Sequence, residues 1–119
     1  MRIVSVLENQ KIEKRIAITP DIAKKYIALG FEVALSENYG EHLGFNDNEY
    51  KELGVNISKD EKEIIRSADI IVQLGLPSDE NLSFLNKNHT LIGVFNPHTN
   101  KEKTLIFFLD KFLIFSLLV

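Results

Sequence analysis

Among the 119 residues of this chain, few side chains combine a type and a place that could do chemistry. Arg15 stands at the end of the polar run ENQKIEKR, just before IAITP. A guanidinium offers paired N–H groups to a carboxylate or phosphate, which makes Arg15 a candidate anion contact. An ion pair with Glu8 or Glu13, or plain solvation, is the structural alternative, and spacing alone favours it. Gln73 closes the apolar run DIIVQL. A buried glutamine needs hydrogen-bond partners, so it either pins a neighbouring loop or faces a ligand. Asn96, Pro97 and His98 follow a second apolar run, TLIGVF. Asn and Pro in that place are commonly turn chemistry. His98 is by type a general acid or base, though no partner for it is visible.

Composition removes several other chemistries. Cysteine is absent, which excludes disulfides, thiolate metal sites and a cysteine nucleophile. His42, His89 and His98 are scattered and show no metal-ligand spacing. Nothing marks a Ser-His-Asp set. The net charge of −3 leaves no basic surface for nucleic acid. Hydrophobic residues at 45% and charged residues at 26% are ordinary for one soluble domain with one core. The opening MRIVSVLENQ lacks the apolar core and cleavage site of a signal peptide, so the expected compartment is the cytoplasm. The run TLIFFLDKFLIFSLLV is apolar but is broken by Asp110 and Lys111. A membrane span needs roughly 20 mostly apolar residues, so this run reads as soluble structure.

The elements that must position these residues alternate from end to end. Residues 2–7 carry a strand pattern. Thr19 is placed to cap a helix, with Pro20 at its first position and Asp21 beside its positive end. Ile22, Tyr26 and Leu29 form one stripe of that helix, Gly30 stops it, and Phe31, Val33 and Leu35 start a second strand. Asn46 and Glu49 have capping-box-like spacing ahead of Tyr50 and Leu53, and Gly54 ends that short helix. Val55 and Ile57 make a brief strand. Ser58 and Glu61 read as a capping box for a helix through Ile64 and Ile65. The runs at 69–74 and 90–95 have the near-continuous apolar character of strands covered on both faces. Short helices are expected over 78–86 and around 105–112, with a terminal strand near 113–119. Strands alternating with helices imply βαβ crossovers. The expected fold is an α/β, Rossmann-like or flavodoxin-like, three-layer αβα sandwich with a mainly parallel sheet.

Ligands of open parallel sheets bind beyond the carboxyl ends of the strands. That points to the loops at 8–15, 36–45, 75–79 and 96–100. No G-x-G-x-x-G follows any strand; Gly40 and Gly44 in YGEHLG lack that spacing. By its own residues the chain looks like half of an enzyme.

The segments RIAITP at 15–20, LGFEVAL at 29–35, YGEHLGFNDNEYKELGVNI, ADIIVQLGLP and LIGVFNP stand in an order that resembles a known family. That family is the N-terminal domain shared by alanine dehydrogenase and the alpha subunit of proton-translocating NAD(P) transhydrogenase. The resemblance covers roughly residues 1–103. It implies a cleft role for Arg15 and for the loops at Gln73, Asn96 and His98. In alanine dehydrogenases the position of Gln73 carries a lysine that binds the keto acid, and the position of Asn96 carries a catalytic histidine. This chain has neither, and keto-acid reduction needs a proton donor and carbonyl polarisation. The resemblance therefore favours the transhydrogenase subunit, with no catalytic residue expected in this domain.

The same resemblance implies NAD(H) in the complete subunit and no tight binding to this chain alone. It implies as partners the missing NAD domain, the membrane and NADP-binding subunits, and a second copy in the full enzyme. The expected location is cytoplasmic, peripherally at the inner membrane in the complex. Residues 104–119 depart from the family pattern, and the family's P-R-x-x-R-A-Q-like segment and glycine-rich domain do not follow, so a truncated or frameshifted product is expected. Two other readings stand beside this one: an alanine dehydrogenase-type domain, and a non-catalytic α/β binding module.

Overall fold

A computed structural model describes residues 1–11, 13–75, 77–85, 88–93 and 113–116. In chain order the elements are β1 (Arg2–Ser5), α1 (Pro20–Ala28), β2 (Glu32–Ser36), a 3-10 turn (Glu41–Leu43), α2 (Asp47–Glu52), β3 (Asn56–Ser58), α3 (Glu61–Arg66), β4 (Ile70–Gln73), α4 (Asp79–Ser83), β5 (Thr90–Gly93) and β6 (Leu113–Ser116). The strands form one sheet in the order β3-β2-β1-β4-β5-β6, and every pairing is parallel. This is the doubly wound α/β architecture that alternating strands and helices predict.

The handedness of crossovers explains where the helices lie. The chain first travels outward from β1 to β2 to β3, then returns past β1 to β4 and continues to β5. Each parallel crossover is right-handed, so reversing the direction of travel moves the helices to the other face. Two hydrophobic layers result in place of one core. Ile3, Val33, Leu35 and Val55 pack with Ala23 of α1 and Tyr50 of α2. Val4, Val6, Ala34, Ile71 and Leu91 pack with Ile64 and Ile65 of α3 and Leu82 of α4. Neighbours along each strand go to opposite layers, as a period of two requires. Val4, Leu35 and Leu91 are wholly buried, which explains the near-continuous apolar runs.

Most helix ends follow local chemistry. Thr19 Oγ1 accepts the Ile22 N–H at 3.4 Å, and Pro20 occupies the first turn. Asn46 Oδ1 accepts the Glu49 N–H at 2.9 Å. Gly30 and Gly54 follow their helices at φ +94° and +97°, a region that glycine enters without a Cβ clash. The expected Ser58–Glu61 capping box is corrected. Asp60 caps α3 and accepts the Glu63 N–H at 3.3 Å. Ser58 is held in β3 by pairing with Ser36, and its hydroxyl accepts the Asp60 N–H instead. Sheet pairing has outcompeted the local cap. The helix expected over 78–86 is shorter, Asp79–Ser83, capped by Ser78 Oγ on the Asn81 N–H. The helix expected around 105–112 lies outside the described residues, whereas the terminal strand is present as β6 beside β5.

Among the described residues, no helix is long and apolar enough to cross a membrane.

Candidate functional site

The sheet reverses its winding between β1 and β4, and this switch point is where a parallel sheet opens a crevice. The two strands pair only at Ile3 with Ile70 and Val4 with Ile71. Beyond that register they part, and the Gln73 side chain fills the parting. Its Oε1 accepts the Val6 N–H at 2.7 Å, and its Nε2 donates to the Val6 carbonyl at 3.1 Å. The carboxamide thus replaces a peptide group in the ladder. Oε1 also accepts from Ser5 Oγ at 2.8 Å, and Nε2 also donates to Glu8 Oε2 at 3.0 Å. Both amide N–H groups are engaged, and Oε1 accepts the Val6 N–H and shares the single Ser5 hydroxyl proton with the Val72 carbonyl. Of the two roles open to Gln73, the hydrogen bonds belong to the pinning one.

Glu8 sits just past the end of β1, with 7% of its surface exposed. Its Oε2 accepts the Leu74 N–H at 2.8 Å, and its Oε1 accepts the Gly75 N–H at 3.1 Å. The carboxylate therefore holds the first turn of the loop after β4. Burial pushes its pKa above the ordinary carboxylate value, the two backbone N–H groups oppose this, and the nearby Glu13 charge adds to the rise. In the sequence Glu8 stands only as a possible partner of Arg15. A glutamate one turn beyond an apolar strand reads as solvated, and its partners lie more than sixty residues away.

The network continues through the sheet. The Ser5 hydroxyl lies 2.6 Å from the Val72 carbonyl and 2.8 Å from the Tyr39 hydroxyl. Tyr39 accepts the Ala17 N–H at 3.0 Å and the Ile18 N–H at 3.1 Å. Both neighbours donate, so the Tyr39 proton goes to Ser5 Oγ. Burial is the main cause that pushes the Tyr39 phenol up to about 12. Tyr50 donates to the Ile18 carbonyl at 2.8 Å and meets Tyr39 edge-to-face at 6.2 Å. Two buried tyrosines thus fix the segment that follows Arg15. Gly40 is forced by this packing: a Cβ there would lie 3.0 Å from Phe45 Cβ and 3.2 Å from the Tyr50 hydroxyl.

Arg15 itself is exposed and bound to a neighbour. Its Nε and Nη2 donate to the two carboxylate oxygens of Glu13, each at 2.9 Å, and its backbone N–H donates to Glu13 Oε1 at 3.0 Å. The guanidinium holds the Glu13 carboxyl down at about 2. The loop is strapped to the segment after β2 by His42, whose Nε2 donates to the Lys14 carbonyl at 2.8 Å while Nδ1 meets Gln10 Nε2 at 3.1 Å. Asn96 and His98 lie outside the described residues. Among the described residues, no group of acidic, histidine or cysteine side chains could hold a metal ion. A shallow groove of about 500 Å³ between α1 and α2, lined in part by Lys24, Phe45 and Leu53, shares no residue with the network at the strand ends.

A doubly wound α/β domain with its crevice at the β1–β4 switch point is the class this geometry defines. Comparison with known proteins narrows it. Residues 5–114 match the family described as alanine dehydrogenase/PNT, N-terminal domain, and the chain belongs to that family. It is 38% identical over 106 residues to the first portion of NAD(P) transhydrogenase subunit alpha of Rickettsia prowazekii, covering 86% of this chain and 28% of that protein. It is 28% identical over 102 residues to alanine dehydrogenase 1 of Staphylococcus aureus (strain bovine RF122 / ET3-1), covering 86% of this chain and 27% of that one. Among solved structures, transhydrogenase from Sinorhizobium meliloti superposes with a TM-score of 0.85 at 24% identity, covering 96% of this chain and 34% of that chain. The chain thus spans roughly a quarter of the length of these curated relatives. Its relatives are oxidoreductases of two kinds, transhydrogenases and alanine dehydrogenases.

Proposed function

We propose that this chain is the N-terminal portion of the NAD(H)-binding alpha subunit of an NAD(P) transhydrogenase. The complete enzyme passes hydride between NADH and NADP⁺ and couples the transfer to proton movement through membrane subunits. The protein's role in hydride transfer is to position the cofactor. This domain serves as one wall of the cleft over the nicotinamide, with the ends of β1 and β4 facing that cleft. The residues here do not fit a whole dinucleotide. No glycine-rich phosphate loop follows a strand, and Gly40 and Gly44 belong to the 3-10 turn after β2. The chain alone therefore binds NADH weakly or not at all, and the NAD-binding domain completes the site.

The observation that carries this reading is Gln73. Position 73 holds an amide whose hydrogen-bonding capacity is spent inside the chain, where the resemblance sets a keto-acid-binding lysine in alanine dehydrogenases. Hydride exchange between two nucleotides needs no keto-acid site. Asn96, Arg15 and His98 remain proposed cleft residues on the same footing, with no catalytic role assigned. In the complex, the chain works at the membrane surface beside its membrane and NADP-binding partners, as one of two copies.

Joining this chain to the NAD-binding domain and its NADP-binding partner tests the reading. The expected result is reduction of an NAD analogue by NADPH, with no NADH oxidation by pyruvate and ammonium. Pyruvate-dependent NADH oxidation would instead establish the alanine dehydrogenase reading. Calorimetric titration of the chain alone with NADH is expected to give no micromolar binding.

A further inference from the structure

The chain presents a second concave surface, away from the strand-end network. The groove between α1 and α2 has a volume of about 500 Å³, which is ligand-sized, but it is shallow. Pro20, Phe45 and Leu53 give it an apolar lining, and each of them is half-buried. These walls are fixed by the fold. The Phe45 N–H donates to the Gly40 carbonyl at 3.0 Å, and a Cβ at residue 40 would stand 3.0 Å from Phe45 Cβ. The Tyr50 hydroxyl on the Ile18 carbonyl ties α2 to the residues that lead into α1. The groove therefore stands preformed.

Its charge is unbalanced. Asp21, Glu49 and Glu52 stand against a single lysine, Lys24. All four side chains are exposed, and none of them takes part in a described hydrogen bond or ion pair. Asp21 lies beside the positive end of α1, which offsets part of its charge. Glu52 lies in the last turn of α2, beside the negative end of that helix. The excess is negative, next to apolar carbon and one aromatic ring. A guanidinium or ammonium on a carbon stem matches both: the stem covers apolar surface, and the head meets carboxylates and a ring. An acidic occupant would be repelled, and a purely apolar one would strip water from the carboxylates with nothing in return. A shallow groove buries little of a small ligand, so affinity has to come from several contacts made at once, as a peptide segment makes them.

We propose that the groove between α1 and α2 docks a segment of a partner protein in which arginine or lysine stands next to apolar side chains. The apolar side chains pack on Pro20, Phe45 and Leu53, and the cations pair with Glu49, Glu52 and Asp21. Lys24 works against this occupant and limits its affinity. The groove shares no residue with the strand-end network, so the docking surface is independent of the proposed function.

The test uses the chain itself, labelled with ¹⁵N. It is titrated with the acetylated and amidated peptide Leu-Arg-Leu-Arg-Leu, with Leu-Glu-Leu-Glu-Leu blocked in the same way, and with N-acetylarginine amide. The basic peptide is expected to move the Lys24, Phe45, Glu49 and Leu53 amide signals saturably, and more tightly at low salt than at high. The acidic peptide is expected to leave them in place. N-acetylarginine amide is expected to bind about tenfold more weakly than the basic peptide, or weaker still. Glu52→Lys is expected to weaken the basic peptide about tenfold or more, and Lys24→Glu to tighten it about tenfold. Both positions are exposed and both replacements are good helix formers, so each variant keeps the fold. No saturable movement at the groove, equal movement with the acidic peptide, equal affinity for N-acetylarginine amide, or unchanged affinity in either variant would overturn the proposal. Groove signals that move with the concentration of the chain alone would overturn it in favour of a second copy as the occupant.

Discussion

Two carboxylates a few residues apart in the chain meet opposite fates. Glu8 is buried at the strand ends, bound by an amide side chain and two backbone N–H groups, and its proton is harder to lose than usual. Glu13 is on the open loop, bidentate with Arg15, and its proton is lost far more readily than usual. The first belongs to a network that crosses the sheet and sets local geometry. The second belongs to an ion pair between residues two apart, whose arginine side chain is 72% exposed. Burial and partner type decide whether a charged residue shapes the molecule, and sequence proximity does not.

The widest separation between the two regions is expected from Gln73→Leu. It strips the partner from Val6 N–H, the Val6 carbonyl and Glu8 in a buried place, where each unsatisfied group costs about 1–3 kcal/mol. Unfolding in urea is expected to show a loss of about 3 kcal/mol or more. Arg15→Ala, the matching change on the loop, is expected to leave the urea midpoint nearly unchanged, because exposed pairs are screened. A Gln73→Leu chain as stable as the wild type would erase the contrast.

Tyr39→Phe sharpens it at an intermediate level. Ser5 Oγ and the Ala17 and Ile18 N–H groups lose their shared hydroxyl, while the ring packing stays. The expected loss is about 2 kcal/mol in the same assay, with faster amide hydrogen exchange at Ala17 and Ile18. Exchange at those amides as slow as in the wild type would show that another group satisfies them.

The smallest effect is a difference of sign with pH. The folded chain keeps the Glu8 proton at pH values where the unfolded chain has released it. Stability from this group therefore falls as pH rises from the usual carboxylate range, near 4.5, through its raised folded value. Glu13 does the reverse: its contribution is present above about 4.5 and is lost as pH falls toward about 2. Glu61 is also raised by burial and slopes in the same direction as Glu8, so the comparison is each variant against the wild type. Subtracting the Glu8→Gln profile from the wild type is expected to leave a downward slope above pH 4.5. The Glu13→Gln difference is expected to leave an upward slope below it. Slopes of the same sign would mean that the two environments are wrongly assigned.

Much of the fold was legible because its causes are local. Thr19-Pro20 started α1, Gly30 and Gly54 ended helices, and Asn46 capped α2, each through groups within a few residues. The runs around Ile70–Gln73 and Thr90–Gly93 announced strands covered on both faces. The exception is Ser58, where a good local signal met a stronger non-local one: strand pairing with Ser36 left Asp60 to cap α3. The site was legible in type only. Arg15 and Gln73 stand out by type and place, but of the two candidate partners of Arg15 only Glu13 pairs with it, while Glu8 turns to Gln73 and the loop after β4. Ser5 and Tyr39 went unmarked, because a strand serine and a turn tyrosine look ordinary in sequence.

The sequence by itself determined the element order, most caps and the alternation that sends Val4 one way and Ile3 the other. These follow from rotation per residue and from hydrogen bonds that close within one turn. Strand order, the splaying of β1 from β4 and the spending of the whole Gln73 amide came only with the tertiary structure. Those contacts join residues 65 to 68 positions apart, and no local periodicity encodes a partner at that distance. Right-handed crossovers and the burial of two apolar layers bring the strands together. The parting between β1 and β4 then exposes backbone groups that must be satisfied, and Gln73 is the residue placed to satisfy them.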